Sequence, residues 1–448
     1  MNAATLAMHP RAMSEPSLRA PTQPLTGTAC MLLASIAAYV LLSAPTLAAL
    51  GIPYDVQAGS FPAKIHPGTY LLLLTCLMAW AESRSPWQGL QQSLRTQPML
   101  AAYLGCMLAC FVWAVGRHGP AGLAFFIDTL ISPGLAGLLL MRMDTRTHGL
   151  MLQMVLAILA LNAALAIGEY LFKGHLVPGV MGAAPEDSDG YFRSAALLGH
   201  PLTNAKVTVA ALPFVTRLPW PTRWKLLTGL LLAQALLAFG GRTSLAVGGL
   251  VYGATGLACL GLRLAQGRYS YLQITGSGLG VMLLGTTLAT AVVSTGLGDR
   301  VFQNFTWDNS ADVRFAVWRA LDHFKGQDVW LGLPIPEIDH VAERIGIDRR
   351  FEAIENFWLY QLLLLGVVGF VPFVLGLILL ATHLVRSAGP WLWVSVPVYF
   401  VVASGTNSLA SKTISLMVLT VLTLASQRQQ RAPRLVQRDA PLARNSVG

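Results

Sequence analysis

Apolar runs near the ~20 residues needed to cross a hydrocarbon core recur along the chain, and short polar stretches separate them. Read for that period, the sequence predicts spans at Thr28–Leu50, Gly68–Ala81, Pro98–Val115, Ala121–Met141, Gly149–Phe172 and Ser194–Val215. Six more follow at Leu226–Gly240, Thr243–Leu262, Tyr271–Ser294, Phe357–Thr382, Trp391–Ala403 and Leu409–Ser426. The expectation is an all-α polytopic membrane protein of about twelve helices, the second and eleventh runs being shorter than a full crossing.

One interval breaks the rhythm. From Thr295 to Asn356 no spanning run occurs, and about half of the acidic residues gather there. Long loops in compact proteins usually carry function. Within it, Val313, Val317, Leu321 and Phe324 recur at helical spacing behind Asn309 and Asp312, which predicts a short amphipathic helix lying against a membrane face. The organisation expected is a polar N-tail (1–27), nine spans (28–294), the long loop (295–356), three spans (357–426) and a basic tail (427–448).

Composition agrees with a membrane solvent. Apolar residues make up 54% of the chain and charged residues 12%, with a mean hydropathy of +0.56, which no water-soluble surface can be built from. The net charge of +10 is scattered through loops and tail, so it argues against nucleic acid and for topology. Alternate loops are enriched in Lys and Arg, as at Arg84 and Arg95, Arg142 and Arg146, and Arg217, Arg223 and Lys225. The positive-inside rule then places both termini in the cytoplasm and the long loop outside. The five cysteines, Cys30, Cys76, Cys106, Cys110 and Cys259, lie in apolar runs as small hydrophobes, and no metal site or cofactor is expected. The first apolar run is too long for a signal-peptide core and is read as a retained span.

In that topology several polar residues meet near the outer face: Arg193 and His200 beside the sixth span, Arg242 between the seventh and eighth, and Arg314 and Glu355 in the long loop. Arginine presents a planar fork that matches phosphate oxygens at any working pH, so a lipid-linked phosphate is the natural shared ligand. As plainer readings, Arg193 is an interfacial anchor, Arg242 an ordinary hairpin charge, Arg314 a solvated helix residue and Glu355 an acidic helix start. Lys206, inside the sixth span, needs a partner or a watery cavity and is a secondary candidate. Trp307, Trp318, Trp330 and Trp358 suit an interfacial belt better than a sugar platform.

Four stretches, in order, resemble the bacterial O-antigen ligase and polymerase family (Wzy-like). They are Arg193 to Asn204 with His200 and Pro201; Gly241-Arg242-Thr243-Ser244; Arg314 and Trp318 followed by Leu331-Gly332-Leu333-Pro334; and Glu355-Asn356-Phe357-Trp358 ending in Gly366 and Gly369. The resemblance spans roughly Arg193 to Gly369 and lies in the order of the motifs. It implies a metal-independent, inverting glycosyltransferase of the bacterial inner membrane that polymerises or ligates undecaprenyl-diphosphate-linked oligosaccharide at the periplasmic face. Its partners would be that donor, a glycan acceptor, membrane lipids and other polysaccharide-assembly proteins. Arg193, Arg242 and Arg314 would hold the diphosphate and Glu355, with Asn356 beside it, would serve as base. Where the family carries histidine this chain has Glu355, and His340 or His323 are alternatives; the same departure tilts the reading from ligase toward polymerase. A lipid-glycan transporter and a catalytically silent scaffold remain the rival readings, the first being expected to show two symmetric halves.

Overall fold

A computed structural model describes residues 25–55, 60–82, 85–176, 192–267, 316–346 and 354–428, with scattered positions between 275 and 296. The N-tail up to residue 24, the acidic run Glu186–Asp189, most of the ninth expected span, the Asn309 and Asp312 cap, Trp307, Arg314 and the tail from 429 lie outside the described residues.

Among the described residues the chain is mostly helical, with no strand. In order come α1 (Gly27–Leu41), α2 (Ala44–Ala49), α3 (Pro67–Ala81), α4 (Pro86–Thr96), α5 (Pro98–His118), α6 (Ser132–Leu140) and α7 (Thr145–Phe172). Then follow α8 (Pro201–Ala211), α9 (Thr222–Ala238), α10 (Arg242–Ala265), α11 (Asp328–Leu331), α12 (Ile335–Arg344), α13 (Phe357–Ser387), α14 (Ser395–Ser404) and α15 (Ser415–Arg428). Four of these, α5, α7, α10 and α13, are long and apolar enough to cross a membrane, and shorter apolar helices run beside them.

Local chemistry sets the helix ends. The α7 start is capped by Asp144, whose carboxylate accepts from Thr147 N at 2.9 Å, and hydrogen bonding to Thr147 holds that carboxyl below its ordinary range. At α13 the cap is Asn356, whose Oδ1 accepts from Trp358 N at 3.0 Å and Leu359 N at 3.2 Å. Asn356→Ala should therefore cost about 1 kcal/mol, read as a lower melting temperature of the purified protein.

Several expected spans turn out to be interrupted. Residues 192–200 are not helical, so the helix of the sixth run begins only at Pro201 and passes into a 3-10 turn at Leu212–Arg217. The first run divides at Leu42 and Ser43. The described part of the expected amphipathic helix is a 3-10 turn, Val317–His323.

The tenth run is longer than expected, 31 residues, and broken: Gly366 has φ 62 and ψ 178, outside helical geometry. At the break the Leu331-Gly332-Leu333 turn lies backbone to backbone against the chain. Leu333 N donates to Leu363 O at 2.6 Å, and Gly332 has φ +82. Breaking a helix in an apolar setting frees carbonyls that must be satisfied locally. Here α5 supplies the donors: Trp113 Nε1 to Leu365 O at 3.0 Å and His118 Nε2 against Leu364 O at 3.0 Å, while Cys110 Sγ contacts Gly369 O at 3.4 Å one turn on.

A second irregular element precedes α6. Phe126–Ile131 form a π-helical turn that aims the buried carboxylate of Asp128 at the 54–69 segment. Asp128 accepts from Tyr54 OH at 3.0 Å, from His66 N at 3.1 and 3.2 Å to its two oxygens, and from Thr69 Oγ1. Burial lowers the pKa of His66 to about 4, so the ring is neutral at pH 7. Its Nδ1 accepts from Gly68 N, and Nε2 donates to Leu42 O at 2.7 Å. Lys412 joins the group by donating to Tyr54 O and standing 4.2 Å from the Tyr54 ring centre.

Candidate functional site

The segment that carries Arg193 is docked on the turn that carries Arg242. Ser194 N donates to Ala238 O at 3.1 Å and Arg193 Nε to Phe239 O at 3.3 Å, so Arg193 caps the carbonyl end of α9 at its C-cap residue, Phe239. Phe239 leads directly into Gly240, Gly241 and Arg242. Gly240 has φ +63, which the hairpin requires, and a side chain on Gly241 would sit 2.5 Å from the Ala205 Cβ of α8. The close approach that Gly241 permits is therefore to α8, a packing role. Arg193 and Arg242 are both half-buried.

Residue 200 stands at the same place. His200 is the N-cap of α8, its Nδ1 accepting from Leu202 N at 3.2 Å, and it is exposed. Asn204, one turn on, is buried and ties the approach to its own helix: Nδ2 donates to Ala195 O at 2.6 Å and to His200 O at 3.0 Å. Gly199 packs on Pro45 and Ser43, which brings the start of α2 into contact.

Lys206 also lies on α8. It is fully buried at 1% exposure, and among the described residues its ammonium interacts with the ring of Tyr399 on α14 at 6.0 Å. That distance is the outer limit of a cation–π contact.

Glu355 and Asn356 open α13, and Phe357 N donates to Thr406 O beyond α14 at 3.1 Å. Since α14 also packs on α8 and α10, the Glu355 end and the arginine end are joined through that helix. Trp358 is fixed there by Nε1 to Ser404 Oγ at 2.8 Å. Trp318, His323 and His340 are all exposed, and His340 Nδ1 lies 3.7 Å from Glu343 Oε2 on its own helix.

Two residues that sequence reading passed over organise the site. Glu169 and Asn162 lie in the apolar run of α7, are buried, and sit seven residues apart on one helix face. Both reach the 194–197 segment. The signal available was the general one, that an ionisable residue within an apolar span is costly and marks a site; Glu169 lies inside the fifth expected span, Gly149–Phe172, and carries that signal.

Compared with known proteins, the sequence matches no family profile and no curated protein.

Proposed function

We propose that the protein is a polytopic inner-membrane glycosyltransferase that polymerises or ligates undecaprenyl-diphosphate-linked oligosaccharide on the periplasmic side, with about twelve spans and cytoplasmic termini. The observation that carries the reading is the docking of the Arg193 segment, by two hydrogen bonds, onto Ala238 and Phe239 at the end of α9, immediately before the Gly240-Gly241-Arg242 turn. Two arginines at one helix junction suit a diphosphate. Further support comes from the contact between the Gly332 turn and Gly366, two separate stretches of the family-like motif order.

In this reading the donor's diphosphate is bound by Arg193 and Arg242, with Arg314 as a third cation. The acceptor hydroxyl oxygen attacks the anomeric carbon opposite the diphosphate and inverts it. The carbon–oxygen bond to phosphate breaks, its electron pair leaves with undecaprenyl diphosphate, and the arginines stabilise that charge. Glu355 takes the hydroxyl proton. A transporter is the alternative that one observation favours, because broken helices such as α13 also occur in transporters.

Glycan transfer by purified protein in proteoliposomes decides between them. Arg242→Ala is expected to lower transfer by about 10²-fold or more and Glu355→Gln by a similar factor. Loss in Arg242→Ala alone would move the base elsewhere. No transfer by folded wild type supplied with the correct donor would favour transport or a scaffold.

A further inference from the structure

Glu169 does something unusual for a carboxylate in the last turn of a long apolar helix. Its Oε2 accepts from Ser194 Oγ at 2.6 Å, Ala195 N at 3.1 Å and Ala196 N at 2.9 Å, and its Oε1 from Leu176 N at 2.8 Å. Two successive backbone N–H groups converging on one oxygen form an anion nest, here filled from within the protein. The nest is bent, since Ala196 has φ +40, a left-handed conformation that an alanine adopts only when its surroundings impose it.

Asn162 completes the mould two turns earlier on the same face. Its Oδ1 accepts from Leu197 N at 2.9 Å and its Nδ2 donates to Asn204 Oδ1 at 2.8 Å. Phe192, on the other side of Arg193, stacks on His175 at 4.8 Å between ring centres and meets the Tyr170 ring at 6.3 Å. His175 Nδ1 is 3.8 Å from Glu169 Oε2. Arg193 is thus flanked on both sides by residues seated on α7 or just beyond its end, and its segment is bonded in turn to Ala238 and Phe239, which lead into the Arg242 turn.

From this geometry we infer that Glu169 is the positioning residue that seats Arg193 against the Arg242 turn, with Asn162 fixing the following turn, so that donor diphosphate meets a prebuilt pair of guanidinium groups. The inference rests on the proposed transferase reading. Glu169 touches no reacting atom in it. It acts by holding the backbone of residues 194–196, which keeps a strained turn from relaxing and Arg193 from swinging out with it.

The test uses the full chain in nanodiscs and proteoliposomes and compares wild type, Glu169→Gln, Arg193→Ala and the double variant. Gln keeps the length of the side chain but replaces one accepting oxygen by a donor. Amide hydrogen exchange at Ala195, Ala196 and Leu197 is expected to rise about tenfold in Glu169→Gln while mid-helix amides of α7 stay unchanged. With the undecaprenyl-diphosphate oligosaccharide as donor, its KM is expected to rise about tenfold with a smaller change in kcat, and Glu169→Asp to recover part of the loss. In the Arg193→Ala background, Glu169→Gln should change donor KM by less than about twofold, because the two act through one group.

Unchanged exchange at 195–197, or equal and additive effects in both backgrounds, would overturn the inference. If wild type transfers no glycan, the transferase reading falls separately. The inference is then judged on the affinity for undecaprenyl diphosphate itself, and a Kd that Glu169→Gln leaves unaltered overturns it. Should Glu169→Gln not fold, Asn162→Ala loosens the same segment at Leu197 and is read by the same exchange and KM measurements.

Discussion

Gly366→Ala is expected to destabilise the protein by at least about 3 kcal/mol and to leave little of it folded after extraction. With φ 62 and ψ 178 the residue occupies a backbone region open essentially to glycine alone. A methyl group there would also lie 2.4 Å from Trp330 O and 2.5 Å from Gly332 N, and both are backbone atoms that have no rotamer to yield. The reciprocal change is as severe, for a Cβ on Gly332 would stand 2.2 Å from Leu364 O. The comparison substitution is Gly253→Ala in α10, where nothing lies within 4 Å. Size-exclusion profiles and thermal unfolding in detergent should separate the two classes. A Gly366→Ala protein as stable as Gly253→Ala would mean that the break in α13 does not exist.

Asp128→Ala is the second change from which a large loss is expected, about 3 to 5 kcal/mol. It removes the acceptor shared by three donors, the hydroxyls of Tyr54 and Thr69 and the backbone N–H of His66, in a place closed to water. Lys412 would lose a nearby negative charge as well. Tyr54→Phe removes one donor and leaves the others paired, so it should cost only about 1 kcal/mol. Unfolding followed by tryptophan fluorescence gives both values. If Asp128→Ala matched Tyr54→Phe, the carboxylate would not be the centre of the network.

Much of the helical framework was legible from hydrophobic period alone, and the places where it was not share one physical origin. Runs such as Pro98–Val115 and Gly149–Phe172 are uninterrupted in sequence and in space, the helices being Pro98–His118 and Thr145–Phe172. The sixth run failed at its start because Ser194 to Gly199 is apolar enough to read as helix, while its backbone N–H groups are bound by Glu169 and Asn162. Hydropathy counts side chains and is blind to a backbone satisfied by a distant carboxylate. Gly366 and Gly369 were visible as a pair, yet nothing local distinguishes a glycine that breaks a helix from one that lets a neighbour approach. Trp113 and His118 of α5 make the difference, more than two hundred residues earlier in the chain.

The candidate site was legible to a similar degree. Arg193, His200 and Arg242 were picked from charge and order, and they stand around the junction of α8, α9 and α10. The packing of α8 against the turn was not legible: only the fold shows that the space left by Gly241 is taken by Ala205. His340 gains no support as an alternative base from its exposed position beside Glu343.

The interruption at Gly366 also divides a single apolar run into two pieces that answer to different solvents. Beyond it, Val368, Val371, Leu375 and Ile378 are exposed at intervals of three and four, a single stripe suited to acyl chains. Before it, Phe357, Leu359, Tyr360, Gln361, Leu363, Leu364 and Leu365 are buried, which leaves no such stripe. The leading piece is apolar in the way a protein interior is, and only the trailing piece in the way a membrane surface is. A polar substitution in the first would be resisted by packed neighbours and in the second by lipid, although the two sit on what reads as one helix.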